Sequence, residues 1–103
     1  MYVSIKKSTS KGKKLTAIFY DNDKKKIKTT HFGATGYNDY TIYNRTKGKS
    51  FADERKRLYL QRHSNEKGDY MSASVLSKEI LWNKPTISGS IKSYISKHNL
   101  KLI

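Results

Sequence analysis

The chain reads as an α+β domain: a sheet-rich front (residues 1–43) of three to four antiparallel strands, then two or three short helices across residues 50–98. Three observations predict this. Leu15 to Tyr20 alternates with the β-branched and aromatic content of a pleated strand. Two glycines, Gly33 and Gly36, break the chain near its centre. Behind them Ile87, Ile91, Tyr94, Ile95 and His98 recur at i, i+4, i+7, i+8 and i+11, the signature of one helix face. At 103 residues the chain has the size of one domain, with no room for a second core.

Tyr2 to Lys7 alternates as a first strand, and the polar run Ser8 to Lys13 turns it into the second, Leu15 to Tyr20. Leu15, Ala17 and Phe19 fall on one face of that strand; Thr16, Ile18 and Tyr20 fall on the other. Asp21 to Lys24 has the composition of a hairpin turn, and Lys25 to Phe32 returns as a third strand. There Lys26, Lys28 and Thr30 share one face, which is expected to be cationic, and Ile27, Thr29 and His31 the other.

The central stretch Phe32 to Thr41 is expected to turn at positive φ or to pass close to another segment, because glycine has no Cβ to forbid either. Asp39 and Thr41 can bond local backbone N–H groups and fix the turn. Tyr40 to Tyr43 reads as a short fourth strand, and Asn44 to Lys49 as a basic loop. Ser50 then has the character of an N-cap for a helix from Phe51 to about His63, with Asp53 and Glu54 in its first turn. Phe51 and Leu58 mark one apolar stripe, and Ala52, Tyr59 and His63 a neighbouring one. Tyr59 and His63 stand at i, i+4 and should touch.

After a polar break at residues 64–70, Ser72 is expected to cap a helix through Val75, Leu76, Ile80, Leu81 and Trp82. Asn83-Lys84-Pro85 ends it, because proline pushes its predecessor out of helical geometry. Thr86 or Ser88 opens the last helix. Trp82 is a core anchor by the area its ring buries, or a stacking platform if exposed. Leu100 to Ile103 closes the chain as a last strand or a docking tail, and with an exposed strand edge would allow a homodimer.

Twenty-two Lys and Arg against eight Asp and Glu give a net charge of +14. Nine of those Lys against Asp21 and Asp23 place +7 in residues 1–31 alone. So dense a charge calls for a polyanion, nucleic acid before an anionic membrane, although lysines on exposed strands also block edge-to-edge aggregation. With no cysteine, disulfides, Cys zinc sites and thiol catalysis are excluded. No apolar run approaches the roughly 20 residues of a membrane helix, and no leader follows Lys6 and Lys7, so a soluble, unsecreted chain is expected.

Catalytic signals are thin. Asp39, Asp53, Glu54, Glu66, Asp69 and Glu79 are scattered, and His31, His63 and His98 lack metal-ligand spacing. A nuclease site from His31, Asp39 and His63 would require convergence in space that no spacing selects. Gly33-Ala34-Thr35-Gly36 lacks the Lys-Ser/Thr or third glycine of phosphate-cradling loops. A binding protein is expected, with no enzyme activity, metal or cofactor.

Its expected nucleic-acid contacts are Lys13, Lys14, Lys24, Lys25, Lys26 and Lys28 from the sheet, and Arg45, Lys47, Lys49, Arg55, Lys56, Arg57 and Arg62 from the loop and helix beyond it. Such contacts position a phosphate backbone without reading sequence. Phe32, Gly33, Gly36, Tyr37 and Tyr40 form a candidate partner loop.

Three motifs in order, Phe32-Gly33-Ala34-x-Gly36-Tyr37-x-Asp39-Tyr40-Thr41, Tyr59-Leu60-x-Arg62-His63, and Leu81-Trp82-Asn83-Lys84-Pro85-Thr86 with Ser90-Ile91, resemble a family of small basic proteins of uncharacterised function from nucleocytoplasmic large DNA viruses. The resemblance covers about residues 14–95, and the chain departs from it at Ser74 to Glu79. It implies a viral protein of the virion or viral factory, with no catalytic residues to carry over. Two functions follow as expectations: a sequence-nonspecific binder, of DNA by preference, that neutralises or compacts a viral genome, or a structural virion protein whose basic face meets an acidic protein.

Overall fold

The computed structural model describes residues 1–65 and 68–103, so Glu66 lies outside the described residues. Strand β2 (Lys13–Tyr20) is flanked antiparallel by β1 (Tyr2–Lys7) and β3 (Lys26–Ala34). Strand β4 (Lys101–Leu102) joins the far edge of β1, giving the order β3-β2-β1-β4. The α+β class holds, with one correction: β4 comes from the C-terminal tail and runs parallel to β1, so the sheet is mixed.

The β2–β3 hairpin turns where expected. Asp21 Oδ1 accepts from the backbone N–H groups of Asp23 and Lys25, each at 2.9 Å, and Lys24 takes a φ of 63°. The ladder bulges at Phe19/Tyr20, just before this turn. Val3, Ala17, Phe19 and Phe32 are fully buried on one face of the sheet, opposite Leu76, Ile80 and Tyr94. The Val, Phe, Leu and Ile side chains among these each gain about 1.5–3 kcal/mol from burial.

The expected cationic face of β3 is corrected by the same alternation. Thr30 lies on the face of Phe32, is buried, and donates its hydroxyl to the Met71 carbonyl at 2.8 Å. That face is therefore covered at Thr30 and cationic only beyond it, at Lys28.

Tyr40 to Tyr43 is not a strand. Helix α1 (Tyr40–Lys47) begins there because Asp39, extended at φ −133°, accepts the Ile42 N–H at 3.0 Å. The β-branched Thr41 and Ile42 are thus overruled by a cap. Tyr40 also points inward, its hydroxyl 2.6 Å from Asp53 Oδ1. Helix α2 (Lys49–Arg62) starts two residues earlier than expected, with Gly48 at φ 90° as the whole junction. Ser50 therefore lies inside the first turn and caps nothing.

Ser72 caps as predicted, accepting the Val75 N–H at 3.3 Å. Helix α3 (Ala73–Leu76) runs on into a π-helical turn (Ser77–Leu81), closed by Trp82 N–H donating to the Ser77 carbonyl at 3.2 Å. Thr86 opens helix α4 (Ile87–Lys97), accepting the Gly89 N–H. Asn99, at φ 55°, ends it: Leu100 N–H reaches the Ile95 carbonyl and Asn99 N–H that of Ser96, a Schellman closure. Among the described residues, no helix is long and apolar enough to cross a membrane.

Candidate functional site

Helix periodicity places Arg55, Tyr59 and Arg62 on one side of α2 at i, i+4 and i+7, with His63 beside them. Tyr59 stacks on Trp82, ring centroids 4.4 Å apart, and on its other side lies 4.2 Å from the His63 ring. Tyr43 lies 6.2 Å from Trp82 and 5.3 Å from Phe51, which extends the series of rings along one wall. The π-helical turn delivers Trp82 to this place, and the loop behind it is pinned from two helices. Lys56 Nζ donates to the Asn83 carbonyl at 2.8 Å, and Lys84 N–H donates to Ser90 Oγ at 2.9 Å.

Tyr43, Tyr59, His63 and Trp82 border an open cleft of about 750 Å³ between the end of the sheet and α2. Phe32, Gly33 and Leu81 contribute to its apolar lining, while Lys13, Arg55 and Arg62 stand exposed around it. The central loop forms the remaining side. Lys14 Nζ donates to the Tyr37 carbonyl at 2.6 Å and to Asp39 Oδ2 at 2.8 Å, so one lysine ties the strand to the loop and to the cap of α1. Tyr37 itself is 73 % exposed.

Four carboxylates are held in ion pairs. Asp39 pairs with Lys14, Asp53 with Lys49, Glu54 with Arg57, and Glu79 with Lys97 and His98. The Lys49 ammonium, then the Tyr40 hydroxyl, hold the Asp53 carboxyl below its usual range. Burial, then the charge of Lys84, push the Lys56 ammonium down. Lys13, Arg55 and Arg62 have no carboxylate partner among the described residues.

The expected contacts therefore divide. Lys13, Lys14, Arg55 and Arg62 meet at the cleft with Phe32, Gly33 and Tyr37. Gly36 and Arg45 border an adjoining hollow that shares Lys14, Tyr37 and Asp39. Lys24, Lys25, Lys26 and Lys28 sit at the other end of the sheet, seven β2 residues or roughly 23 Å away. Lys49, Lys56 and Arg57 are engaged internally, Lys56 also lying 4.9 Å from the Tyr40 ring. Lys47 is exposed at the end of α1, and Tyr40 is buried away from any partner surface.

His31, Asp39 and His63 do not converge. His31 turns to the opposite face of β3 from Phe32, its Nδ1 2.9 Å from Ser8 Oγ and 2.7 Å from Thr16 Oγ1, whereas Asp39 and His63 border the cleft. No cluster of three or more His, Asp or Glu able to hold a metal occurs among the described residues. Sequence reasoning passed over the cleft because its walls lie up to seventy residues apart. The spacing Arg55, Tyr59, Arg62 was the available signal.

Residues 3–63 match the model of a family of unknown function, DUF5754. That is more than half of the chain, which belongs to this family. No curated protein and no solved structure matches. The matched segment spans β1 through α2 and so contains Lys13, Tyr37, Arg55, Tyr59 and Arg62, while Trp82 lies outside it.

Proposed function

We propose that this protein binds nucleic acid without sequence specificity, DNA by preference, and neutralises or compacts a viral genome through phosphate contacts. The observation that carries the reading is the division of charge. Four carboxylates are already held in ion pairs, Asp39 of the cleft wall among them, and the rim cations Lys13, Arg55 and Arg62 have no carboxylate partner among the described residues. In a chain of net charge +14 such a rim attracts phosphates by counterion release. The viral setting, virion or viral factory, rests on the motif resemblance. The activity is binding, with no catalytic step.

A second reading, contact with an acidic structural protein of the virion, is favoured by the exposed Tyr37 ring beside those cations. Salt separates the two. In fluorescence anisotropy with a labelled duplex of about 20 base pairs, log affinity should fall linearly with log salt, by roughly 0.9 per phosphate neutralised. Absence of binding at low salt overturns the nucleic-acid reading, and weakly salt-dependent binding to an acidic protein would support the second.

A further inference from the structure

Resting on the nucleic-acid reading, we infer that the cleft is a single-strand site, where an unpaired base stacks on Tyr37 and neighbouring phosphates lie on Arg55 and Arg62. Tyr37 is the most exposed of the large hydrophobic side chains, at 73 %, ahead of Ile103 at 52 %. It is not on a loose tip. Its carbonyl is held by Lys14 Nζ, Asp39 two residues on is tied to the same ammonium, and Thr35 N–H donates to the Gly12 carbonyl at 3.0 Å.

An aromatic ring carried on this tethered backbone at the mouth of a cationic cleft offers a flat apolar face, and every base has one to match it. In a duplex the base faces are already stacked on one another, so the ring adds nothing there and only phosphate contacts count. Arg55 and Arg62 are seven residues apart on α2, roughly 10 Å along its axis, a separation that lets one strand touch both. Guanidinium groups suit phosphate oxygens because their planar donors can pair with two at once.

The test compares a labelled single strand with its duplex by anisotropy at one salt concentration, with the emission of Trp82, the sole tryptophan, followed in parallel. The single strand should bind more tightly and alter Trp82 emission. Tyr37→Ala should weaken single-strand binding by about 5- to 150-fold and leave duplex binding unchanged, while Tyr37→Phe retains the preference. Equal binding of both forms, or a Tyr37→Ala variant with an unchanged preference, overturns the single-strand site and leaves nonspecific binding standing. Binding of neither form overturns both.

Discussion

The rings of Trp82 and Tyr59 lie 6° from parallel with their centroids 4.4 Å apart. The residue that closes the π-helical turn is thereby locked to a residue of α2, and the wall of the cleft is also part of the core. Both side chains are about nine-tenths buried. Trp82→Ala is expected to lower unfolding free energy by about 3–5 kcal/mol, as read from urea denaturation, because its large ring leaves a cavity.

Gly33 and Gly36 should respond differently to alanine. Both have positive φ, 79° and 87°, where a side chain is strained by about 1 kcal/mol. At Gly33 a Cβ would also come within 2.6 Å of Leu81 Cδ1, whereas at Gly36 it meets open space. Gly33→Ala should therefore cost more, about 2–3 kcal/mol, and should disturb Trp82 emission through Leu81. Equal losses at the two positions would contradict the close packing.

Asp39 caps α1 and pairs with Lys14. Asp39→Ser keeps an N-cap oxygen and removes the ion pair; Asp39→Ala removes both. The alanine variant should be less stable than the serine one by about 1 kcal/mol in thermal or urea unfolding, the usual value of a cap. Identical midpoints would mean that the cap contributes nothing measurable.

Tyr94 sets a limit on the alkaline side. Burial first, and the negative charge of Glu79 second, raise its phenol above the ordinary value. In the unfolded chain it ionises near pH 10, so the proton is held more tightly in the fold. The stabilisation is complete below about pH 10 and is lost as pH rises toward the folded value. Urea midpoints should fall in that window, and Tyr94→Phe should flatten the fall. The same variant loses the hydrogen bond to the Tyr70 carbonyl, about 1 kcal/mol at neutral pH.

Lys25, Lys26 and Lys28 test the far end of the sheet. Lys24 is set aside because its ammonium sits 5.3 Å from the Tyr2 ring. Changing the three exposed lysines to Glu should leave thermal stability within about 1 kcal/mol, since exposed charges contribute little. It should also weaken single-strand and duplex binding alike. A loss confined to one form would assign these lysines to a specific contact.

The antiparallel meander was legible because alternation in residues 2–32 is a local property, and so was the cap at Ser72. The last helix had two candidate starts, Thr86 and Ser88, of which Thr86 caps it. Tyr40 to Tyr43 misled because its composition favours a strand, while the deciding interactions were the Asp39 cap and the Tyr40–Asp53 bond between two helices. Ser50 misled because a good capping residue lay two positions past a glycine able to turn the chain alone. The cleft was hidden for another reason. Arg55 and Arg62 read as a basic helix surface and Tyr59 as part of an apolar stripe until Trp82, twenty residues past Arg62, and the Tyr37 loop were placed around them.

The parallel pairing of β1 with β4 sets an order on synthesis. Lys101 N–H bonds the Met1 carbonyl and Ile103 N–H that of Val3, so the outer edge of β1 waits until β4 has emerged. At ribosomal rates of about 5–20 residues per second the interval is roughly 5–20 s. Throughout it the outer edge of β1 is bare and Val3 lacks part of its cover, a template for pairing with neighbouring nascent chains. The lysines at positions 6 and 7, which repel like-charged copies, stand on that same strand.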